Sequence, residues 1–205
     1  MKKIIVVVMA GMMILVSCKT KNKDAENADK KEMSGDPAAD SASIRKTVTD
    51  FYEWYNASYA KFFRYDLYSS LKKEDEPPYK IKWEEVVKYQ QFIADSVPQL
   101  GQQFLQNQKR FLQQCDSAFK VDVADDIPYG FDYDWYTNSQ EGTEYLLQDL
   151  RNPKADWHIT VNGDNAKVRI NMNRERGSET EQYMVISLSM IKEKGKWTIA
   201  TIGNE

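Results

Sequence analysis

Between Ile44 and Phe63 the large apolar side chains return every three or four residues: Ile44, Val48, Phe51, Tyr52, Tyr55, Tyr59, Phe62 and Phe63. At about 100° per residue all of them lie within about 60° of Val48, the arc of a helix that buries one face. Ser43 is placed to cap its start, and the pattern predicts a helix running to about Leu71. Lys72 to Pro78 is charged and closes on Pro77-Pro78, which cannot continue a helix. A second helical stretch starts near Trp83, with Val86, Val87, Phe92, Ile93 and Val97 as its apolar positions, up to Pro98. A third, Leu100 to about Phe119, carries the stripe Phe104, Gln108, Phe111, Cys115, Ala118. From Asp156 the period becomes two. Trp157, Ile159 and Val161 alternate with polar residues, Asn162-Gly163 predicts a hairpin turn, and Ala166, Val168, Ile170 and Met172 form the next apolar face. Arg176-Gly177-Ser178 then turns into a long strand with Met184, Ile186, Leu188 and Met190, and Lys194-Gly195 closes a hairpin onto Trp197 and Ile199. The predicted class is α+β, with N-terminal helices packed on a curved antiparallel sheet of about four strands.

Ahead of this pattern, residues 4–15 form a short apolar run after Met1-Lys2-Lys3, too short to cross roughly 30 Å of hydrocarbon. The run ends in Leu15-Val16-Ser17-Cys18, which resembles the signals of bacterial lipoproteins. The resemblance implies a leader over 1–17, removed on maturation, and a diacylglycerol on Cys18. The expected location is the cell envelope, facing the periplasm or the surface. Lys19, where an inner-membrane retention signal has Asp, points to the outer membrane. Residues 18–42, with Met33 as the only large apolar side chain after Cys18, read as a lipidated cysteine and a flexible tether, leaving 43–205 as one α+β domain.

Charge and cysteine content narrow the partners. Without Lys2 and Lys3 there remain 26 basic against 31 acidic residues, so a nucleic-acid partner is not expected. Lysines 19, 21 and 23 sit beside the anchor, where anionic headgroups are their natural counter-charge. With Cys18 lipidated, Cys115 has no disulfide partner, and its place on a helical stripe predicts burial.

The run Tyr129-Gly130-Phe131-Asp132-Tyr133-Asp134, then Ser139-Gln140-Glu141, Trp157 and Lys196-Trp197-Thr198-Ile199 resemble a group of bacterial envelope lipoproteins of unknown function. They fall within the nuclear transport factor two-like superfamily, the cystatin-like cone. Pro77 to Gly101 has no counterpart in the usual core of that fold. The resemblance implies a sheet curled against a helix around a conical pocket, which carries no single function.

His158 is the only histidine and points opposite to Trp157 and Ile159, away from the predicted core. One histidine and one remaining cysteine do not make a zinc site. The cluster Asp122, Asp125, Asp126, Asp132 and Asp134 fails the calcium-loop spacing, because Thr137 and Thr143 stand where Gly and Glu are required. Asp134 reads instead as the cap of a helix over Trp135 to Leu150. No phosphate-binding loop, nucleophile elbow or dinucleotide fingerprint occurs, and no cofactor is expected. Tyr129, Asp132, Asp134 and Gln140 are the polar candidates for a pocket, with Phe131, Tyr133 and Tyr136 beside Tyr129 as apolar walls. An enclosed carboxylate there would have a raised pKa and base character. Trp54, Tyr65 and Tyr68 fall off the main stripe of the first helix, between about 200° and 260°, and need cover from Trp83 to Val97 or else form an interaction surface.

These features predict a lipid-anchored, non-catalytic binding or interaction module whose ligand is an unknown small molecule or envelope protein. One alternative is a small-molecule enzyme using the enclosed carboxylate. The other is a structural or immunity-type lipoprotein that binds another protein through the aromatic helix.

Overall fold

Helix α1 spans Pro37–Phe62 and starts at Asp36, earlier than Ser43. The Asp36 side chain accepts from the Ala38 N–H at 3.0 Å, and Pro37 occupies the first helical position, where a missing N–H is harmless. The tether boundary therefore moves back from residue 42. What holds the extra turn is Asp40, whose carboxylate accepts from Lys192 Nζ at 2.7 Å and Trp197 Nε1 at 2.8 Å. The computed structural model describes residues 36–72, 76–121, 128–140, 142–176 and 179–203. Cys18, the leader, most of the predicted tether, Asp122, Asp125, Asp126, Glu141 and the turn at Gly177-Ser178 lie outside them.

Ile44, Val48, Phe51, Tyr52, Tyr55 and Phe62 are buried on one face of α1, as the wheel requires, whereas Tyr59 and Phe63 are exposed. The helix stops at Phe62, well short of Leu71, because the following residues pair with a strand. β1 (Tyr68–Ser70) and β2 (Tyr79–Ile81) form an antiparallel hairpin, extended by Leu71 N–H to Pro78 O at 2.9 Å and Lys82 N–H to Leu67 O at 2.8 Å. Tyr65 and Tyr68 are thus not on the helix at all. Tertiary pairing overrides a local pattern that either structure satisfies.

The stretch Pro77 to Gly101 has a definite place. After β2 it forms α2 (Trp83–Ser96), which turns Val86, Tyr89 and Ile93 inward and leaves Val87 exposed. Residues 99–101 then run along β6 (Lys196–Ile202). Ile199 N–H donates to Gln99 O at 2.8 Å and Gly101 N–H to Ile199 O at 3.2 Å, which covers that edge of the sheet. A Cβ at Gly101 would meet the Thr198 hydroxyl and the Glu193 carboxylate, which would have to shift to make room. The Glu193 carboxylate accepts from the first N–H groups of α3 (Gln102–Ala118), Gln102 and Gln103, at 3.1 and 3.2 Å, and so caps that helix from a distant strand.

β3 (Asp156–Asn162), β4 (Asn165–Arg176), β5 (Glu179–Glu193) and β6 form an antiparallel meander in sequence order. Asn162 pairs with Asn165, so the first turn is Gly163-Asp164, one residue later than predicted; Gly163 alone takes a positive φ, 59°, the pattern of a type II′ hairpin. Lys194 and Gly195, both at positive φ, close β5 onto β6 as expected. Ala166, Val168, Ile170, Ile186, Leu188 and Met190 face the helices and are buried. The last helix, α4 (Thr143–Arg151), lies against α1, with Thr143 Oγ1 to Asn56 at 2.6 Å and Arg151 to Glu53 at 2.9 Å. It begins eight residues after Trp135, where the sequence placed its start. Asn138 at φ 51° and the Asp134 side chain, which bonds the N–H two residues on, hold 135–139 in turns instead.

Candidate functional site

The loop 128–140 is built on close backbone approaches. Gly130 takes a φ of 78° and lies so near α3 that a Cβ would meet Phe111 Cζ at 2.6 Å and Cys115 Sγ at 2.9 Å. Trp135 Nε1 donates to Gly130 O at 2.6 Å, and Asp134 N–H to Ser139 O at 2.9 Å, folding the segment on itself. Asp134 Oδ1 then accepts from Tyr136 N–H at 2.8 Å, and Oδ2 accepts from the Tyr55 hydroxyl at 2.7 Å. Tyr136 is anchored at both ends. Its carbonyl accepts from Tyr52 at 2.8 Å, and its hydroxyl meets Tyr89 at 2.5 Å and Gln108 Nε2 at 3.1 Å.

Against this loop stand the end of α1, the connector to β1, and α2, and between them is a cavity of about 270 Å³. Tyr55, Phe62 and Phe63 from α1, Tyr65, Asp66, Leu67 and Tyr68 from the connector and β1, and Tyr89 from α2 line one side. Phe131, Tyr133, Asp134, Trp135 and Tyr136 line the other. The walls brace each other edge to face, as in Tyr68 with Phe131 at 4.8 Å and Phe131 with Trp135 at 5.0 Å between centroids.

The electrostatics of the cavity have one sign. Half-burial raises the Asp134 pKa above the ordinary carboxylate value, an effect partly offset by the hydrogen bonds from Tyr55 and the Tyr136 N–H. Desolvation, followed by the field of Asp134, pushes the Tyr55 phenol far up, so it stays a donor at any physiological pH. Burial likewise raises Tyr89 and Tyr136. Among the described residues no lysine, arginine or histidine lines the cavity, and its second carboxylate, Asp66, is paired at 2.5 Å with Lys82.

Of the residues singled out in the sequence, Asp134 is on the cavity wall together with Phe131, Tyr133 and Tyr136. Tyr129 is 53% exposed and does not line it. Asp132 and Gln140 are exposed as well; Gln140 Nε2 donates to Asp132 O at 3.0 Å and ties the base of the loop. Trp54 and Tyr65 are half-buried under α2, with Trp54 6.4 Å from Phe92 and Tyr65 5.3 Å from Tyr89, while Tyr65 and Tyr68 also line the cavity. Tyr55, Phe62 and Trp135 were not singled out as site residues. Nothing local marks them, since Tyr55 reaches Asp134 from 79 positions away.

A larger depression, about 650 Å³, lies on the open sheet face among His158, Thr160, Lys167, Arg169 and neighbours. These are mostly solvated polar groups, and His158 pairs with Asp156 at 2.9 Å in the open. The smaller aromatic cavity is the better candidate, because there a charged group has lost water. Cys115 is fully buried, its thiol pushed up to about 12 by desolvation. Among the described residues no group of acidic, histidine or cysteine side chains is arranged to hold a metal ion, and no helix is long and apolar enough to cross a membrane. Comparison with family models, curated proteins and solved structures finds no match to this chain.

Proposed function

We propose that this chain is a lipid-anchored envelope module that binds a small molecule in the aromatic cavity without transforming it. The carrying observation is the cavity itself, ringed by aromatic side chains with one half-buried carboxylate on its wall. At protein packing density its volume holds roughly a dozen non-hydrogen atoms. The leader-like segment ending in Cys18 supports attachment through a diacylglyceryl thioether, with the domain held beside the outer membrane. Helices on one face of a four-stranded meander, with a cavity at one end of the helical layer, support the cystatin-like cone as the finer description of the fold.

Binding is favoured over catalysis by the state of the polar groups. Asp134 is engaged by the Tyr55 hydroxyl and the Tyr136 N–H, and the phenols around it are held protonated, so no acid–base pair is poised for exchange. One observation supports the enzymatic alternative: burial raises the Asp134 pKa, the direction a general base needs. Native mass spectrometry of the protein released from its own membrane tests both readings. A retained small molecule, released unchanged on unfolding, is expected. A protein carrying only acyl groups on Cys18, with the cavity empty under every gentle extraction, sinks the binding reading; a retained mixture of a compound and its product favours the enzyme.

A further inference from the structure

Three features of the cavity bear on what it takes. Its walls are mainly aromatic side chains, whose ring faces carry negative electrostatic potential. Among the described residues its half-buried carboxylate, Asp134, has no cationic partner within 4 Å and no cationic side chain lines the space. Asp134 also accepts two hydrogen bonds from the protein, one on each oxygen, leaving about two of its four lone-pair sites for a ligand. The first two features repel anions and leave a neutral ligand with nothing to offset the buried charge. The third disfavours a ligand that must be recognised through several donated hydrogen bonds.

Resting on the reading of this cavity as a ligand site, we propose that its ligand is an organic cation: an alkylated ammonium group on a small apolar body, held by the field of Asp134 and by the aromatic side chains of Tyr68, Phe131 and Trp135 that line the space. Such a head is recognised by charge and polarisability without hydrogen bonds, which is what a carboxylate already engaged by the protein has to offer. The apolar body lies toward Phe63, which is 63% exposed, so the ligand's less polar end is nearest the solvent rim. Asp66, the other carboxylate on the lining, is mostly solvated and already paired with Lys82, so its field in the cavity is the weaker of the two.

The test uses the purified full-length chain and three probes of eleven non-hydrogen atoms each, about the capacity of the cavity: benzyltrimethylammonium, its carbon isostere neopentylbenzene, and 3-phenylpropionate. Quenching of tryptophan fluorescence and line broadening of the probes by NMR give the affinities. The ammonium is expected to bind about tenfold or more tighter than the isostere, with the carboxylate weakest. Asp134→Asn, which keeps a hydrogen-bonding amide at the same place, is expected to bring the ammonium down to the isostere's affinity and leave the isostere unchanged. Isostere and ammonium binding alike, or a preference that survives Asp134→Asn, overturns the cation proposal while leaving a binding cavity. Failure of all three probes to bind overturns both. If the variant does not fold, the three-probe comparison on the unaltered protein decides by itself.

Discussion

Replacing Tyr136 by phenylalanine removes one oxygen from the centre of the protein and strands two other polar groups. The Tyr136 hydroxyl is 2.5 Å from the Tyr89 hydroxyl and 3.1 Å from Gln108 Nε2, and the three residues are 3%, 3% and 7% exposed. No water reaches them easily, so each group left without a partner costs about 1–3 kcal/mol. The Tyr89 hydrogen is free to rotate and falls at the low end, giving about 2–4 kcal/mol in all. For a domain of this size that is a fall in Tm of roughly 5–15 °C, read with the matching shift of the urea midpoint. Gln108→Leu supplies the control. Gln108 Oε1 is buried without a partner, so leucine loses one hydrogen bond but relieves one orphan, and stability stays within about 1 kcal/mol of the parent. In that background Tyr136→Phe strands only Tyr89, and its effect shrinks by about 1–3 kcal/mol. A Tyr136→Phe protein within about 0.5 kcal/mol of the parent, or a strictly additive pair, would show that these hydroxyls are not a closed network and that the floor of the cavity is wet.

Gly130→Ala puts a Cβ at positive φ and within 2.9 Å of both Phe111 and Cys115, and is expected to lower stability by at least about 2 kcal/mol in urea titrations; an unchanged midpoint would mean the loop does not sit on α3. Asp134 has a folded-state pKa above its unfolded 3.8, so between the two the folded protein binds more protons and stability falls as pH rises through that window. Measured across pH, the Asp134→Asn variant should therefore gain on the parent as pH climbs from below 3.8 through the raised folded-state pKa, and a gain in the opposite direction would refute the burial of that charge. The Cys115 thiol, pushed up to about 12, is ionised to only roughly one part in ten thousand at pH 8, so a maleimide should label it slowly in the native protein and at once in urea. Fast native labelling would place it at the surface.

The sequence by itself determined the period of each element. The apolar face of α1, the start of α2 at Trp83, the Cys115 stripe of α3 and the four-strand meander all follow from spacing, because a helix or strand that buries one face must repeat at 3.6 or 2 residues. It also picked out Asp134 with Phe131, Tyr133 and Tyr136, since a carboxylate among aromatics is conspicuous wherever it folds. Tertiary structure decided the boundaries. α1 begins at Asp36 because Asp40 reaches Lys192 and Trp197, and it ends at Phe62 because Leu67 to Leu71 finds a strand partner near Tyr79. Neither contact leaves a mark on neighbouring residues. The cavity was equally hidden: Tyr55 and Phe62 carry the same helical spacing as the filled core beside them, and only the placement of the loop 128–140 against them leaves space at one and none at the next. Periodicity records which side of an element is dry, whereas a site depends on what stands opposite, and that is set by contacts between residues far apart in the chain.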